Sequence, residues 1–395
     1  MKCTSVIDIG SSKVSCCTIS LGAKGIPTVR GFCSCAYSGY YLGGMPRTSS
    51  LFQAISTAVA HCEAESKQRI SSVSIGIPAS FTKTRISAAK LESRFGGARI
   101  SEPDIDKLIL LSSPMNPPKD YSLIHSTPFD YVVNGSERVA DPVGAFAQSL
   151  EASVSHIYAD NALLKLLNEC FTKLGISIEL FAASSLTDAH YIIPEEMRRD
   201  GAVLIDCGGN VCDVSLIRND AVFETISIGM GGSHITNDLA IRLRLSDSAA
   251  DELKRHYGFY DTDLRQYRRV FVPNEGYVSV KNSVTASIIE SRVKELASHV
   301  SESIGELVAD AADTPVYITG GGIAPLSGGI EFFSECIGLE INDCVPYSAF
   351  EEDDDIYGKI SAYALADFIL YESRSVARAN GRLFTGIKQI LTKKS

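Results

Sequence analysis

Two apolar runs of strand length stand at matching places in this chain, one near its start and one near its middle. They are Val6-Ile7-Asp8-Ile9-Gly10-Ser11-Ser12 and Val203-Leu204-Ile205-Asp206-Cys207-Gly208-Gly209-Asn210. Each reads as a buried strand, then an aspartate, one spacer and a glycine turn. The first opens a strand hairpin over 6–21 and 28–36, turning at 22–25. A helix over about 50–65 follows, with Leu51, Ala54, Ile55, Ala58 and Val59 at helical spacing. Residues 72–77 read as a further strand, ended by Pro78.

From about 81 to 155 the texture changes. Polar stretches and Pro114, Pro117, Pro118 and Pro128 separate short strand and helix candidates, including a helix after Ser101-Glu102-Pro103. This reads as an insertion with its own small core. A helix over 161–174, a strand over 176–181 and a helix over 182–192 return to the first texture. Residues 201–218 form the second hairpin, followed by the glycine turn Gly229-Met230-Gly231-Gly232. Helices are expected over 247–258 and 285–309, with strands between them at 270–280. A buried strand at 316–319 ends in Gly320-Gly321-Gly322, and a helix over 356–372 closes the core of the second half. The acidic run 351–355 reads as a solvated loop.

Length and composition set bounds on what such a chain does. Its 395 residues suit two domains, each large enough for its own core. Hydrophobic residues at 45% and charged residues at 21% describe an ordinary globular protein. A net charge of −10 argues against bulk nucleic-acid binding, which needs a basic face. Eleven cysteines form no C-x-x-C pair. Those at 16, 17, 33 and 35 sit in apolar stretches, as small buried hydrophobes do, so the reading is of reduced thiols in the cytoplasm. Asp8 breaks the first apolar stretch, which is therefore not a signal peptide, and no segment reaches the ~20 apolar residues of a spanning helix. All six charged residues of 373–395 are basic, which leaves −16 on the rest of the chain.

The repeated turn points to phosphate chemistry. Glycine lets backbone approach an anion and its neighbours' N–H groups point at it, while an aspartate offers Mg²⁺ a hard oxygen, usually through water. Asp8 and Asp206 would thus face each other across a cleft and hold the metal. Amides around Gly10, Ser11 and Ser12 and around Gly208, Gly209 and Asn210 would hold phosphates. Lys13 either adds a positive charge there or is a surface lysine. Asp251 and Lys254, three apart on one helix, share a face, as an ordinary ion pair does. Gly320, Gly321 and Gly322 end a buried strand, either as a plain loop or where a ribose or adenine ring lies close.

These motifs resemble those of the bacterial cell-division family FtsA, within the actin, sugar-kinase and Hsp70-type ATPases. Asp8-Ile9-Gly10-Ser11-Ser12-Lys13-Val14 is similar to that family's first phosphate motif. Residues 205–213 stand where its second belongs, and Gly231-Gly232-Ser233-His234-Ile235-Thr236-Asn237-Asp238 and Thr319 to Ile323 also match, while the resemblance implies that Asp251, where glutamate is usual, and Lys254 contact the nucleoside. Asp141-Pro142-Val143-Gly144, Leu150-Glu151-Ala152 and His156-Ile157 resemble a pattern of the family's own inserted subdomain. The resemblance implies an α/β chain with a duplicated actin-like (ribonuclease H-like) fold. Two lobes would surround a nucleotide cleft, with a small inserted α+β subdomain in the first lobe. The first lobe would span 1–80 and 156–198, the insertion 81–155, and the second lobe 199–240 and 312–372. A smaller subdomain of the second lobe would span 241–311, and 373–395 would be a linker and membrane helix.

It further implies ATP and Mg²⁺ as cofactors, self-association into filaments and tethering of the tubulin-like division protein FtsZ to the membrane. The FtsZ C-terminal peptide would bind the 241–311 subdomain, with Arg292 as a contact to its acidic residues or as the partner of Glu295 three residues on. Asn210, Val211 and Cys212 replace a glycine and two threonines usual in the family, which removes two hydroxyls. Asp206 is the one general-base candidate, so nucleotide would set conformation and polymerisation with little turnover. Other readings are a related pilus-assembly actin homologue that binds a membrane-protein peptide, and a sugar kinase or Hsp70-type ATPase.

The tail adds a physical argument of its own. Read as a helix, 382–394 puts Leu383, Phe384, Ile387, Ile390 and Leu391 in an arc of about 120°, flanked by Arg382, Lys388 and Lys393, with Lys394 at the end. That pattern suits the surface of an anionic bilayer, and also a final helix docked on the protein. Thirteen residues at ~1.5 Å each are too short to span, so the helix would lie in the interface, and the resemblance implies a peripheral place on the inner face of the cell membrane.

Overall fold

The structure, a computed structural model, describes residues 3–21, 27–92, 99–273, 276–342 and 356–378, with side chains to 370 in the last stretch. The tail residues 383–394, the turn at 22–25 and the acidic run 351–355 lie outside the described residues. The first apolar run is β1 (Cys3–Ile9), and its glycine turn leads into β2 (Lys13–Leu21) and β3 (Pro27–Ala36). The expected hairpin is thus three strands, because the turn at Gly10 breaks the chain before Lys13. Helix α1 (Thr48–Ser66) and β4 (Ser72–Ile77) follow.

The insertion holds β5 (Thr82–Glu92), α2 (Glu102–Leu111), β6 (Tyr121–Val133), β7 (Glu137–Val139) and β8 (Ser149–Asp160). Three of its strands run 11 to 13 residues, where the prolines suggested short ones. Pro128 is accommodated at a register shift of β6 against β8, a place where a strand tolerates proline. The sheet order is β5-β8-β6-β7, with α2 on one face, its Leu108 clustered with Leu150 and Val154 of β8. His156 braces it: its two ring nitrogens meet Ser126 Oγ at 2.9 Å and Ser87 Oγ at 3.0 Å.

The first lobe resumes with α3 (Asn161–Leu174), β9 (Ser177–Ala183), α4 (Ser184–Ile192) and α5 (Glu195–Asp200). Asp160 caps α3, its carboxylate accepting from Ala162 N at 2.7 Å, and Gly175 ends it at φ 69°. The second lobe opens with β10 (Ala202–Cys207), β11 (Cys212–Arg218), β12 (Ala221–Ile228) and α6 (Gly232–Leu243). It continues through α7 (Asp247–Arg255), β13 (Tyr267–Val272), β14 (Gly276–Lys281), α8 (Asn282–Leu307), β15 (Val316–Thr319), α9 (Gly329–Ile337) and β16 (Ile341–Asn342), before α10 (Ile360–Arg378).

The two main sheets are copies in topology. Orders β3-β2-β1-β4-β9 and β12-β11-β10-β15-β16 each join an antiparallel meander to parallel strands at the same place. Central β1 and β10 are apolar on both faces because helices cover both sides, and Val6, Ile7, Val203 and Ile205 are fully buried. Helix α10 departs from the sequence expectation. Assigned above to the second lobe, it packs instead on the first, against α4, β1, β2 and β4, with Ile360, Tyr363, Leu365 and Phe368 in the first lobe's core. The chain therefore crosses back to close the sheet on which it began. No helix among the described residues is long and apolar enough to cross a membrane.

Candidate functional site

Between the lobes lies a cavity of about 550 Å³, floored by the two matching turns. Each turn is closed in the same way: Gly10 N donates to Lys13 O at 2.9 Å, and Gly208 N to Val211 O at 3.0 Å. The aspartate two residues before each turn reaches the same space, since Asp8 and Asp206 both line the cavity. Parallel neighbours leave room for them. Asp8 lies beside Gly76 on β4 and Asp206 beside Thr319 on β15. A Cβ on Gly320, whose φ is +91°, would stand 2.5 Å from Asp206 Oδ1.

The floor is rich in acid. Burial and then Asp206 push the Asp8 carboxyl up to about 7, with Lys13 pulling the other way. Burial lifts Asp206 to about 6, again against Lys13. Asp213, directly across the hairpin from Asp206, is lifted to about 7 by burial and by Asp206, while a hydrogen bond from Ser227 opposes the shift. Asp188 on α4, whose Oδ2 accepts from Ser361 Oγ at 3.1 Å, is raised by burial and by Asp206 and Asp8. Such a cluster favours a cation between its members. No three acidic, histidine or cysteine groups among the described residues converge as a metal cage, so a cation there would need further oxygens from phosphate or water.

The far wall is α6 and α7. Lys254 is 8% exposed and held at Nζ by Asp251 Oδ1 at 2.9 Å and Thr236 Oγ1 at 2.8 Å. Burial works against the Asp251 charge, yet Lys254 and Arg255 hold its carboxyl below the usual range. The expected pair thus exists as an ion pair and also faces the cavity.

Of the residues expected from the sequence, Asp8, Gly10, Ser11, Ser12, Lys13, Asp206, Gly208, Gly209, Gly232, Asp251, Lys254, Gly320 and Gly321 all line this space. Three do not. Gly231 and Gly322 pack behind the floor: a Cβ on Gly231 would come within 2.6 Å of Gly209 O, and one on Gly322 within 2.6 Å of Gly208 O and 2.7 Å of Cys207 O. Their glycine is required by loop-on-loop packing, not by a ligand. Asn210 is the third. Its amide, expected to hold phosphate, donates to Ser11 Oγ at 2.9 Å. The amides of Ser12 and Gly209 have no partner among the described residues and remain available. Arg292 on α8 lies away from the cavity, its guanidinium shared between Asp238 at 2.8 Å and Glu295 at 2.8 Å.

Sequence reasoning missed Asp213, Ser233, Thr236, Asn237, Tyr357, Gly358 and Ser361 as lining residues. Asp213 was within reach, because counting outward from the turn pairs it with Asp206. The residues of 357–361 were not, since they arrive with α10 from the far end of the chain.

Comparison with known proteins adds independent findings. Residues 203–363 match the family model for the cell division protein FtsA, and residues 82–158 that of the SHS2 domain inserted in FtsA; together these span more than half of the chain. The cell division protein FtsA of Neisseria meningitidis serogroup B is 26% identical over 350 residues, covering 87% of this chain and 83% of that protein. Its counterpart in Pseudomonas aeruginosa is 24% identical, covering 87% and 82%. Among solved structures, a PilM-PilN type IV pilus biogenesis complex superposes with a TM-score of 0.63 at 15% identity, covering 93% of this chain and 98% of that one. MreB5 of Spiroplasma citri bound to AMPPNP gives 0.53 at 11% identity, covering 95% and 98%. A MamK double helical filament gives 0.52 at 10%, covering 92% and 98%. The fold is therefore actin-like, with an SHS2 domain inserted in its first lobe.

Proposed function

This chain belongs to the FtsA family of bacterial cell-division proteins, and on that premise we propose that it is an ATP-binding adaptor that polymerises and tethers FtsZ to the cytoplasmic membrane. The observation that carries the nucleotide part is the single cavity into which both matching turns, Asp8, Asp206 and Lys13 all project. ATP would lie with its phosphates over the amides of Ser12 and Gly209 and its nucleoside toward Lys254, Gly320 and Gly321. The raised carboxyls of Asp8 and Asp206 fit a bound Mg²⁺, which would neutralise phosphate charge when present and would be held by those two residues, chiefly through water.

Turnover is expected to be slow. Asp206, the general-base candidate, is also the residue best placed for the metal, and the two hydroxyls usual after Gly209 are absent. Nucleotide then serves chiefly to set the conformation that assembles; of the actin-like neighbours, one is bound to AMPPNP and another is a double helical filament.

For the tail 382–394, five apolar side chains at a membrane would contribute about 5–8 kcal/mol and each basic residue ~1 kcal/mol. Folding a short segment and the presence of Gly386 offset much of that. One foot is marginal, and several feet in a polymer hold firmly through effective concentration. The FtsZ peptide is assigned to the 241–311 subdomain. There Arg292 would have to exchange Asp238 or Glu295 for a carboxylate of the peptide, and its charge reversal would weaken peptide binding.

Liposome co-sedimentation tests this reading, using the full chain and a chain ending at Asn380, with and without ATP. ATP-enhanced pelleting of the full chain alone is expected. Equal pelleting of both chains would overturn the tail assignment, and indifference to ATP would overturn the coupling. The pilus-adaptor reading rests on a fold likeness at 15% identity, while the two FtsA models favour cell division.

A further inference from the structure

Asn210 sits in the second turn but spends its hydrogen bonds on the first lobe. Its side-chain Nδ2 donates to Ser11 O at 2.9 Å and to Tyr40 O at 3.1 Å, and its backbone N donates to Ser11 Oγ at 2.9 Å. Ser11, Tyr40 and Asn210 are all buried. The first lobe is shaped to receive it. Tyr40 N donates to Ser11 O at 3.0 Å, so the two carbonyls that accept from Asn210 are held side by side. Gly39, at φ +67°, backs them, and a Cβ there would collide with Ser11 O and stand 2.9 Å from Asn210 Nδ2.

We propose that Asn210 is a positioning residue that locks the two phosphate-side turns to each other, so that the lobes stay joined at that end without nucleotide. Where phosphates alone bridge two turns, the empty protein opens freely. Here three protein hydrogen bonds bridge them, made by a residue that does not line the cavity. The lock joins the two lobes beside the cavity, so widening the cavity at that end for ligand entry or exit has to break it. It therefore slows exchange in both directions while leaving the bound contacts intact.

Only this last consequence rests on the nucleotide reading, and the test separates the two. Hydrogen–deuterium exchange of the nucleotide-free full chain is compared for wild type, Asn210→Asp and Gly39→Ala. The first variant keeps the shape but presents acceptor oxygens to two carbonyls; the second displaces the lock from the opposite side. Exchange about tenfold faster around 10–13, 37–40 and 208–211 is expected in both, with strands β4 and β15 unchanged. Wild-type exchange at those turns in both variants overturns the lock.

Stopped-flow binding of a fluorescent ATP analogue supplies the second readout. Association and dissociation are both expected to quicken about tenfold with the equilibrium constant within about threefold, whereas a merely weakened fold would raise the dissociation constant without speeding association. Unchanged association rates in variants that show faster exchange overturn the kinetic role. Failure of the wild type to bind the analogue refutes the nucleotide reading and leaves the exchange result to judge the lock.

Discussion

Lys13 Nζ donates to the carbonyl of Gly358 at 2.6 Å, tying the first turn to the segment that enters helix α10, 345 residues away. Both groups line the cavity, so the lysine is a fixed cation in its floor. Its charge lowers Asp8 and Asp206, the opposite of what burial does to them.

Lys13→Met should therefore let both carboxyls rise further. Mg²⁺-dependent binding of ATP needs them ionised, so its midpoint on a pH axis is expected to move up by about one unit. Titrating a fluorescent ATP analogue between pH 5.5 and 8.5 measures this. A midpoint that stays in place would show that Lys13 acts only as a tether.

The same acids set a pH dependence in the nucleotide-free protein. Asp8 and Asp213 stand at about 7 and Asp206 at about 6, all above their ordinary 3.8. The folded chain thus holds protons that the unfolded chain has already released between about pH 4 and 7. Its stability falls as pH rises through that window and levels off above it. Asp8→Asn is expected to flatten part of the fall and to stabilise the chain at pH 8 by on the order of a few kcal/mol. Urea midpoints at pH 5 and 8 without Mg²⁺ decide it, and identical slopes for both proteins would refute it. Saturating Mg²⁺ with ATP should reverse the trend, because a cation favours the ionised forms.

Gly321 and Gly322 are adjacent and should respond in opposite ways. A Cβ on Gly322 meets Gly208 O, Cys207 O and Cys207 Sγ at 2.6, 2.7 and 2.8 Å, whereas one on Gly321 meets nothing within 4 Å. Gly322→Ala is expected to cost about 3 kcal/mol, since the opposing atoms are mostly backbone and cannot turn aside. Gly321→Ala should leave stability within about 0.5 kcal/mol and weaken ATP binding, because that residue lines the cavity. Chemical denaturation paired with ligand titration separates the two effects.

Asp251→Ala would leave the buried Lys254 ammonium with Thr236 Oγ1 at 2.8 Å and Gly232 O at 3.4 Å. Loss of a carboxylate partner at such a site is expected to cost about 1–3 kcal/mol. Adding Lys254→Met should recover part of that stability by removing the stranded charge, while ATP affinity stays low. A double-mutant cycle in urea reads the coupling; strictly additive losses would mean that the pair does not interact.

How much was legible in the chain itself follows from the range of each interaction. Continuous apolar runs, an aspartate and a glycine turn are local, and they marked β1, β10 and the second hairpin, with Asp8 and Asp206 at the strand ends that line one cavity, because strand propensity and turn geometry depend on neighbours in sequence. Proline content misled about the insertion: a strand tolerates Pro128 at a register shift, which only the pairing with β8 creates. The resemblance carried by residues 141–157 placed that insertion, and its matched family model agrees. Tertiary structure decided the rest. Helix α10 reads from sequence as part of the half it follows, yet its apolar face fits the first lobe. Gly322 looked like a ligand contact until the loops were seen to meet backbone to backbone, and Asn210 like a phosphate donor until its partners 170 and 199 residues away took its hydrogens. Local chemistry names which groups can bind; only the packing of distant segments determines what each of them touches.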